Sequence, residues 1–126
     1  MSKKQNPISH MMLYRIISME EWTTSKEEGK VPRCSSDERE NCIHLNKYED
    51  IVLVANKYII KEEEPVVIEI DAEIFKDQIK WVSPTIEKPW HQPNLHLENI
   101  PCNIISRYCH LNFNDQSQTF EIPESF

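Results

Sequence analysis

The stretch Met12-Leu13-Tyr14-Arg15-Ile16-Ile17-Ser18-Met19-Glu20-Glu21-Trp22, followed at position 29 by the chain's single glycine, decides the fold. Its first six residues are long apolar, aromatic or β-branched side chains around one arginine, a composition that suits a strand. Alternation puts Leu13, Arg15 and Ile17 on one face and Met12, Tyr14 and Ile16 on the other. Ser18 with Glu21 three residues on is a capping box, so a helix opens there and runs to about Glu28. Gly29 stands where a helix C-terminus needs left-handed backbone.

Outward from this unit, residues 31–41 are polar, contain Pro32 and read as loop, and residues 42–46 read as a short strand. Asn46, with Glu49 at the reciprocal position, caps a second helix. Ile51, Val54, Ala55 and Tyr58 form its apolar stripe, and Glu62-Glu63-Glu64-Pro65 ends it. Residues 66–70 read as a strand, Asp71 caps a helical turn through Phe75, and residues 79–82 make another strand. Residues 83–101, with prolines at 84, 89, 93 and 101, read as one long loop, a feature usually tied to function or mobility. Residues 103–108 give a strand and 118–122 a last edge strand. This order predicts a single α+β domain over residues 11–126, a small mixed β-sheet with two main helices packed on it, behind a disordered lead over 1–10.

Composition narrows the function. Hydrophobic residues at 39% and charged residues at 28% are a globular balance, and 126 residues suffice for one core without disulfide or metal staples. A net charge of -7 repels phosphate backbones and anionic lipids. The arginines are scattered at 15, 33, 39 and 107, and no basic run extends beyond Lys3-Lys4. Bulk nucleic acid and membrane are therefore excluded as partners. A small nucleotide ligand or a protein partner is retained, because one pocket can oppose the global field. The longest apolar run, residues 51–55, falls far short of the roughly 20 residues of a membrane span. No secretory signal is visible, so Cys34, Cys42, Cys102 and Cys109 are expected as free thiols in a reducing, cytoplasmic setting. One glycine rules out the P-loop and Rossmann phosphate cradles, so any nucleotide must be held by another architecture.

Several residues can carry chemistry. Arg15 lies mid-strand between Leu13 and Ile17; either its guanidinium reaches water at an edge, or it binds an anion. Alternation gathers Cys42, His44 and Asn46 on one face, and if that strand lies near the first, Arg15, His44 and Asn46 share a polar cleft. Alternatively, His44 is half-buried and satisfied by a carbonyl. His96 and Glu98 point to one side of an extended segment, as a solvated pair or as a base with a cation-stabilising carboxylate. Cys34, Cys42, His44, His91 and His96 are nominal ligands, but no Cys-x-x-Cys or close His pair exists, so no metal is expected. No cysteine shows an activating context. Trp22, Trp81 and Trp90 read as packing residues, with a ligand role left open for Trp90 in its proline-rich segment.

Taken together, four segments resemble the domain of unknown function 952 family. Leu13-Tyr14-Arg15-Ile16-Ile17 with Glu21-Trp22 resembles its Tyr-His-Ile strand and first helix, and Cys42-Ile43-His44-Leu45-Asn46 with Ala55-Asn56-Lys57-Tyr58 its second strand and helix. Ile68-Glu69-Ile70-Asp71 and Ile79-Lys80-Trp81 resemble its Leu-x-Ile-Asp and Val-x-Trp-Glu strands, and Asn94-Leu95-His96-Leu97 with Ile100-Pro101 its Pro-His-Ile-Tyr-Gly-Pro motif. The resemblance spans roughly residues 13–107. It implies an ADP-ribosyltransferase-like fold: a split mixed sheet whose central cleft binds NAD without a glycine-rich loop.

The resemblance places Arg15 at the family's first-strand position and His44 and His96 at its two histidines; with Asn46 and Glu98 added from their own faces of the chain, cofactor binding is expected at Arg15, His44 and Asn46, and catalysis at His96 and Glu98. Departures are visible: Arg15 stands for a histidine, Asn46-Lys47 for Ser-Thr, Val82 for the glutamate after Trp81, and Glu98-Asn99 for Tyr-Gly. The expected function is an ADP-ribosyltransferase-like domain binding NAD or a related nucleotide. The alternatives are an inactive binding or interaction module of the same fold and a hydrolase or phosphotransferase acting on a nucleotide-like ligand. A Glu98 that faces the cleft beside Arg15 favours an enzyme, and one that faces solvent favours the binding module.

Overall fold

The structure, a computed structural model, describes residues 11–126; the N-terminal lead expected over 1–10 lies outside the described residues. The deciding stretch folds as read. Strand β1 (Met12–Ile17) passes at Ser18 into helix α1 (Met19–Glu28). The Glu21 N–H donates to Ser18 Oγ at 3.0 Å and the Ser18 N–H to Glu21 Oε1 at 2.9 Å, closing the capping box. Gly29 ends the helix at φ 81°.

The chain continues through β2 (Lys30–Pro32), α2 (Ser35–Glu40), β3 (Ile43–His44) and a 3-10 turn at Tyr48–Asp50 that runs into α3 (Ile51–Tyr58). Then follow β4 (Val66–Asp71), 3-10 turns over Ala72–Gln78, β5 (Ile79–Val82), β6 (Gln92–Leu95) and β7 (Asn99–Pro101). Strands β8 (Ile105–His110), β9 (Asn112–Asn114) and β10 (Thr119–Glu121) complete it. Asp71 Oδ1 accepts from the Glu73 N–H at 3.1 Å, the cap expected there.

Among the described residues four small sheets form, in the orders β1-β4-β8, β3-β6-β5, β2-β7 and β9-β10. Every pairing among the described strands is antiparallel, so the mixed sheet expected from the sequence is corrected. Parallel neighbours need a crossover helix joining two strands of one sheet. Here α1 delivers the chain to β2 and α3 delivers it from β3 to β4, each time into a different sheet.

Three local readings are also corrected. The span 31–41 holds α2 rather than loop alone, and the span 83–101 holds β6 and β7. Pro93 concealed β6 by lacking an N–H; it contributes only its carbonyl, which accepts from the Leu45 N–H at 3.0 Å just past the end of β3. Asn46 does not cap the second helix, because its backbone pairs with Tyr14, and the 3-10 turn after it starts with no side-chain cap.

Strand β4 is covered on both faces. Val66, Ile68 and Ile70 join Leu13, Ile17, Trp22, Ile43, Leu45, Leu95 and Ile100 in one core cluster. Val67 joins Tyr14, Ile51, Ala55, Cys109, Leu111 and Phe120 in the other. The apolar stripe of α3 therefore divides, Ile51 and Ala55 entering the core while Val54 and Tyr58 line a cavity. No helix among the described residues is long and apolar enough to cross a membrane.

Candidate functional site

The site begins where two sheets touch and part. The N–H of Tyr14 in β1 donates to the Asn46 carbonyl at 2.8 Å, and the N–H of Asn46 to the Tyr14 carbonyl at 2.7 Å. A continuing antiparallel ladder would next pair Ile16 with His44. The backbones separate instead, and Arg15 Nη1 donates to the His44 carbonyl at 2.9 Å. A side chain has replaced a rung, and a cavity of about 390 Å³ opens beside it.

Arg15 is only 6% exposed, and the reason its burial is tolerable is Asp37, which is fully buried. Arg15 Nη2 lies 2.5 Å from Asp37 Oδ2 and Nη1 3.3 Å from Oδ1. Asp37 also accepts from the N–H of Cys34 at 3.0 Å and of His44 at 3.2 Å. The His44 ring lies between two carboxylates, Nδ1 at 2.7 Å from Asp37 and Nε2 at 2.9 Å from Glu40. Burial alone would push Asp37 up; the His44 hydrogen bond, the Arg15 charge and the Cys34 N–H outweigh it and hold the carboxyl well below its usual range. The bond to Asp37 raises His44, against burial and with help from Glu40, and the bond to His44 lowers Glu40. Burial, then Glu40 and Asp37, push the Cys42 thiol up.

Around the cavity, Arg15 and Ile16 come from β1, Ser36, Arg39 and Glu40 from α2, and His44 and Asn46 from β3 and the bridge after it. Val54, Tyr58 and Ile59 come from α3, and Lys88, Trp90 and Gln92 close the far wall. Tyr58 and Trp90 meet edge to face with ring centroids 6.5 Å apart. Among the described residues, Arg15 Nε and Trp90 Nε1 are buried donors without a hydrogen-bond partner.

The structure thus brings Arg15, His44 and Asn46 to one cavity and leaves His96 and Glu98 outside its lining. His96 is exposed, its N–H donating to the Gln78 carbonyl at 2.8 Å. The Glu98 side chain is 83% exposed, and its nearest cation is Arg33 at 3.9 Å. The catalytic place expected for His96 beside Arg15 and His44 is corrected accordingly: β6 ends at Leu95, and the chain turns toward β7 and the β2 sheet before His96 can face the cleft. The solvated reading of Arg15 is corrected too, since its guanidinium is held by Asp37 rather than by water. All four cysteines are free, Cys42 and Cys109 buried.

The sequence reading missed Asp37, Arg39, Glu40 and Lys88. A signal for Asp37 was present: it follows Cys34 by three residues and takes that residue's N–H, half of a capping box, at the head of a run of helix formers. Cysteine is not an N-cap residue, so the pattern did not register.

The fold and cleft define a small α+β domain with several antiparallel sheets and a cavity of mixed charged and apolar lining between two of them. The chain belongs to the family described as protein of unknown function (DUF952), whose model matches residues 16–111. It is similar in structure to protein CC0527 from Caulobacter crescentus. Against the crystal structure of that protein the TM-score is 0.75 at 21% identity, covering 88% of this chain and 94% of the other. Against its solution NMR structure the TM-score is 0.70 at 21% identity, covering 86% and 90%. That likeness is one of fold. No curated protein matches the chain.

Proposed function

We propose that the chain is a binding domain whose cavity between β1, α2 and β3 takes a small anionic, ring-bearing ligand of the nucleotide class, with NAD and ADP-ribose the ligands to try. The observation that carries this reading is a local reversal of charge. Arg15, Arg39 and Lys88 line the cavity against one carboxylate, Glu40, in a chain of net charge -7. Asp37 behind the wall cancels one of these cations and still leaves an excess of positive charge. Tyr58 and Trp90 add ring faces and edges of the kind that pack against bases. The volume suits a ligand of drug size.

A solvent-facing Glu98 supports the binding module over a transferase that works through that residue. Catalytic cleavage of NAD would have to draw its carboxylate from Glu40. Free buried thiols suit the cytoplasmic setting expected from the sequence. Calorimetric titration with NAD, ADP-ribose and uncharged adenosine tests the reading. Binding of the phosphorylated ligands, with adenosine much weaker, supports it; no affinity for any of the three removes it.

A further inference from the structure

We infer that Glu40, Cys42 and His44 form a binding site for one divalent cation of the zinc class on the wall of the cavity. The three ligand atoms, one oxygen, one sulfur and one nitrogen, all lie within 4.8 Å of one another. In a plain strand, residues at i, i+2 and i+4 point the same way but stand ~6–7 Å apart at each step, too far to share an ion. The backbone here is not a plain strand. Helix α2 ends at Glu40, and Asn41 turns in the left-handed region at φ 56°, which folds Glu40 back over the residues that follow. This explains why the spacing carried no ligand signature in the sequence: the turn at Asn41 creates the cluster.

The imidazole is already oriented as a ligand. Metal-binding histidines commonly engage a carboxylate through the ring nitrogen that does not touch the metal, which fixes the ring and raises its basicity. Asp37 plays that part, 2.7 Å from His44 Nδ1, and is itself held by Arg15 and two backbone N–H groups. Nε2 faces Glu40 at 2.9 Å, with Cys42 alongside, so a cation would take the place of that hydrogen bond. Thiolate with imidazole selects zinc-like ions over magnesium or calcium, which want oxygen throughout. Three protein donors leave a fourth tetrahedral position. Because Glu40 and His44 line the cavity, that position opens toward it, where a water or an oxygen of an anionic ligand can enter. Binding releases the Cys42 thiol proton and the His44 Nε2 proton to solvent.

The test uses the full chain under a non-chelating reductant, without nucleotide, so its outcome is independent of the binding reading above. Zinc titration by calorimetry and cobalt(II) titration by absorption are expected to show one ion per chain, with a sulfur-to-cobalt charge-transfer band. Cys42→Ser is expected to abolish the band and weaken zinc at least tenfold. Glu40→Gln, at an exposed position, is expected to weaken zinc about tenfold while leaving the band, and Cys102→Ser to change neither. Should Cys42→Ser fail to fold, Glu40→Gln and the wild-type band decide the matter. Absence of zinc binding at micromolar concentration, a band that survives in Cys42→Ser, or zinc affinity unchanged in Glu40→Gln overturns the site.

Discussion

Arg15 Nη2 lies 2.5 Å from Asp37 Oδ2 across 22 positions of sequence, and both side chains are buried. Removing one member of such a pair leaves the other charged and dry, at a cost of about 3–5 kcal/mol. Asp37→Ala is therefore expected to lower unfolding stability by that amount in a urea titration followed by circular dichroism. Arg15→Ala/Asp37→Ala is expected to lose less than the sum of its single variants, by about 1 kcal/mol or more, because the orphaned charge is gone. An Asp37→Ala variant within about 1 kcal/mol of wild type would show that the pair is not what holds β1 against α2.

Alkaline pH should weaken the fold through Tyr14. Its hydroxyl donates to Glu69 Oε2 at 2.7 Å, and Glu69 is also bound by Arg107 at 3.0 Å. Burial first, then the bond to Glu69, push Tyr14 up from near 10 to about 12. The folded chain thus holds this proton more tightly than the unfolded one. The stability it confers is complete below about pH 10 and drains away as pH rises toward 12, ~2–3 kcal/mol in all. Burial lifts Cys109 to about 11, adding to the decline. Tyr14→Phe should remove most of the slope above pH 10; a variant whose alkaline profile overlays wild type refutes the assignment.

The caps of α1 give a local test. Ser18→Ala breaks the capping box and should cost about 1 kcal/mol. Gly29 sits at φ 81°, yet among the described residues nothing beyond its own chain neighbours lies within 4 Å of where a Cβ would project. Gly29→Ala therefore meets only backbone strain, about 1–2 kcal/mol, without a steric clash. A loss above ~3 kcal/mol at Gly29 would mean that packing, not dihedral angle, governs this turn.

The sequence was most legible where signals are short-range. Ser18 with Glu21 and Gly29 marked α1 because caps act over three or four residues, and the run from Val66 was a strand on either side's burial. The face shared by Leu13, Arg15 and Ile17 was readable by alternation, and so was a common cleft for Arg15, His44 and Asn46. The partner of Arg15 was not, because Asp37 sits in a short helix that opens at a cysteine, and no local pattern says that α2 will lie against β1. His96 and Glu98 were misplaced for the same reason in reverse. Their local motif was clear, but which sheet receives them depends on β7 pairing with β2, a contact between positions about 70 apart. Glu40 reaches Cys42 and His44 through one left-handed residue, Asn41, which sequence periodicity does not report.

The ligand reading leads to a set of opposed outcomes. Lys88 and Arg39 line the cavity without the buried anchor that Arg15 has, so they are the cations free to meet an incoming phosphate. Truncating one charge-assisted contact costs ~1.5–3 kcal/mol, roughly a ten- to hundredfold loss of affinity. Lys88→Ala and Arg39→Ala should each weaken ADP-ribose or NAD by about that factor while leaving unfolding stability unchanged. Ligand binding is expected to change the fluorescence of the buried Trp90 indole; Trp90→Phe should remove that change and weaken binding less, since a ring remains. Glu98→Gln should alter neither affinity nor any NAD cleavage, because the side chain points to solvent. If cleavage is detected, Glu40→Gln should abolish it with binding largely kept, as expected for a group that acts mainly in the transition state. Loss of cleavage in Glu98→Gln instead would mean that the segment after β6 moves into the cleft when ligand binds. Undiminished affinity in both Lys88→Ala and Arg39→Ala would mean that the positive rim does not hold the ligand.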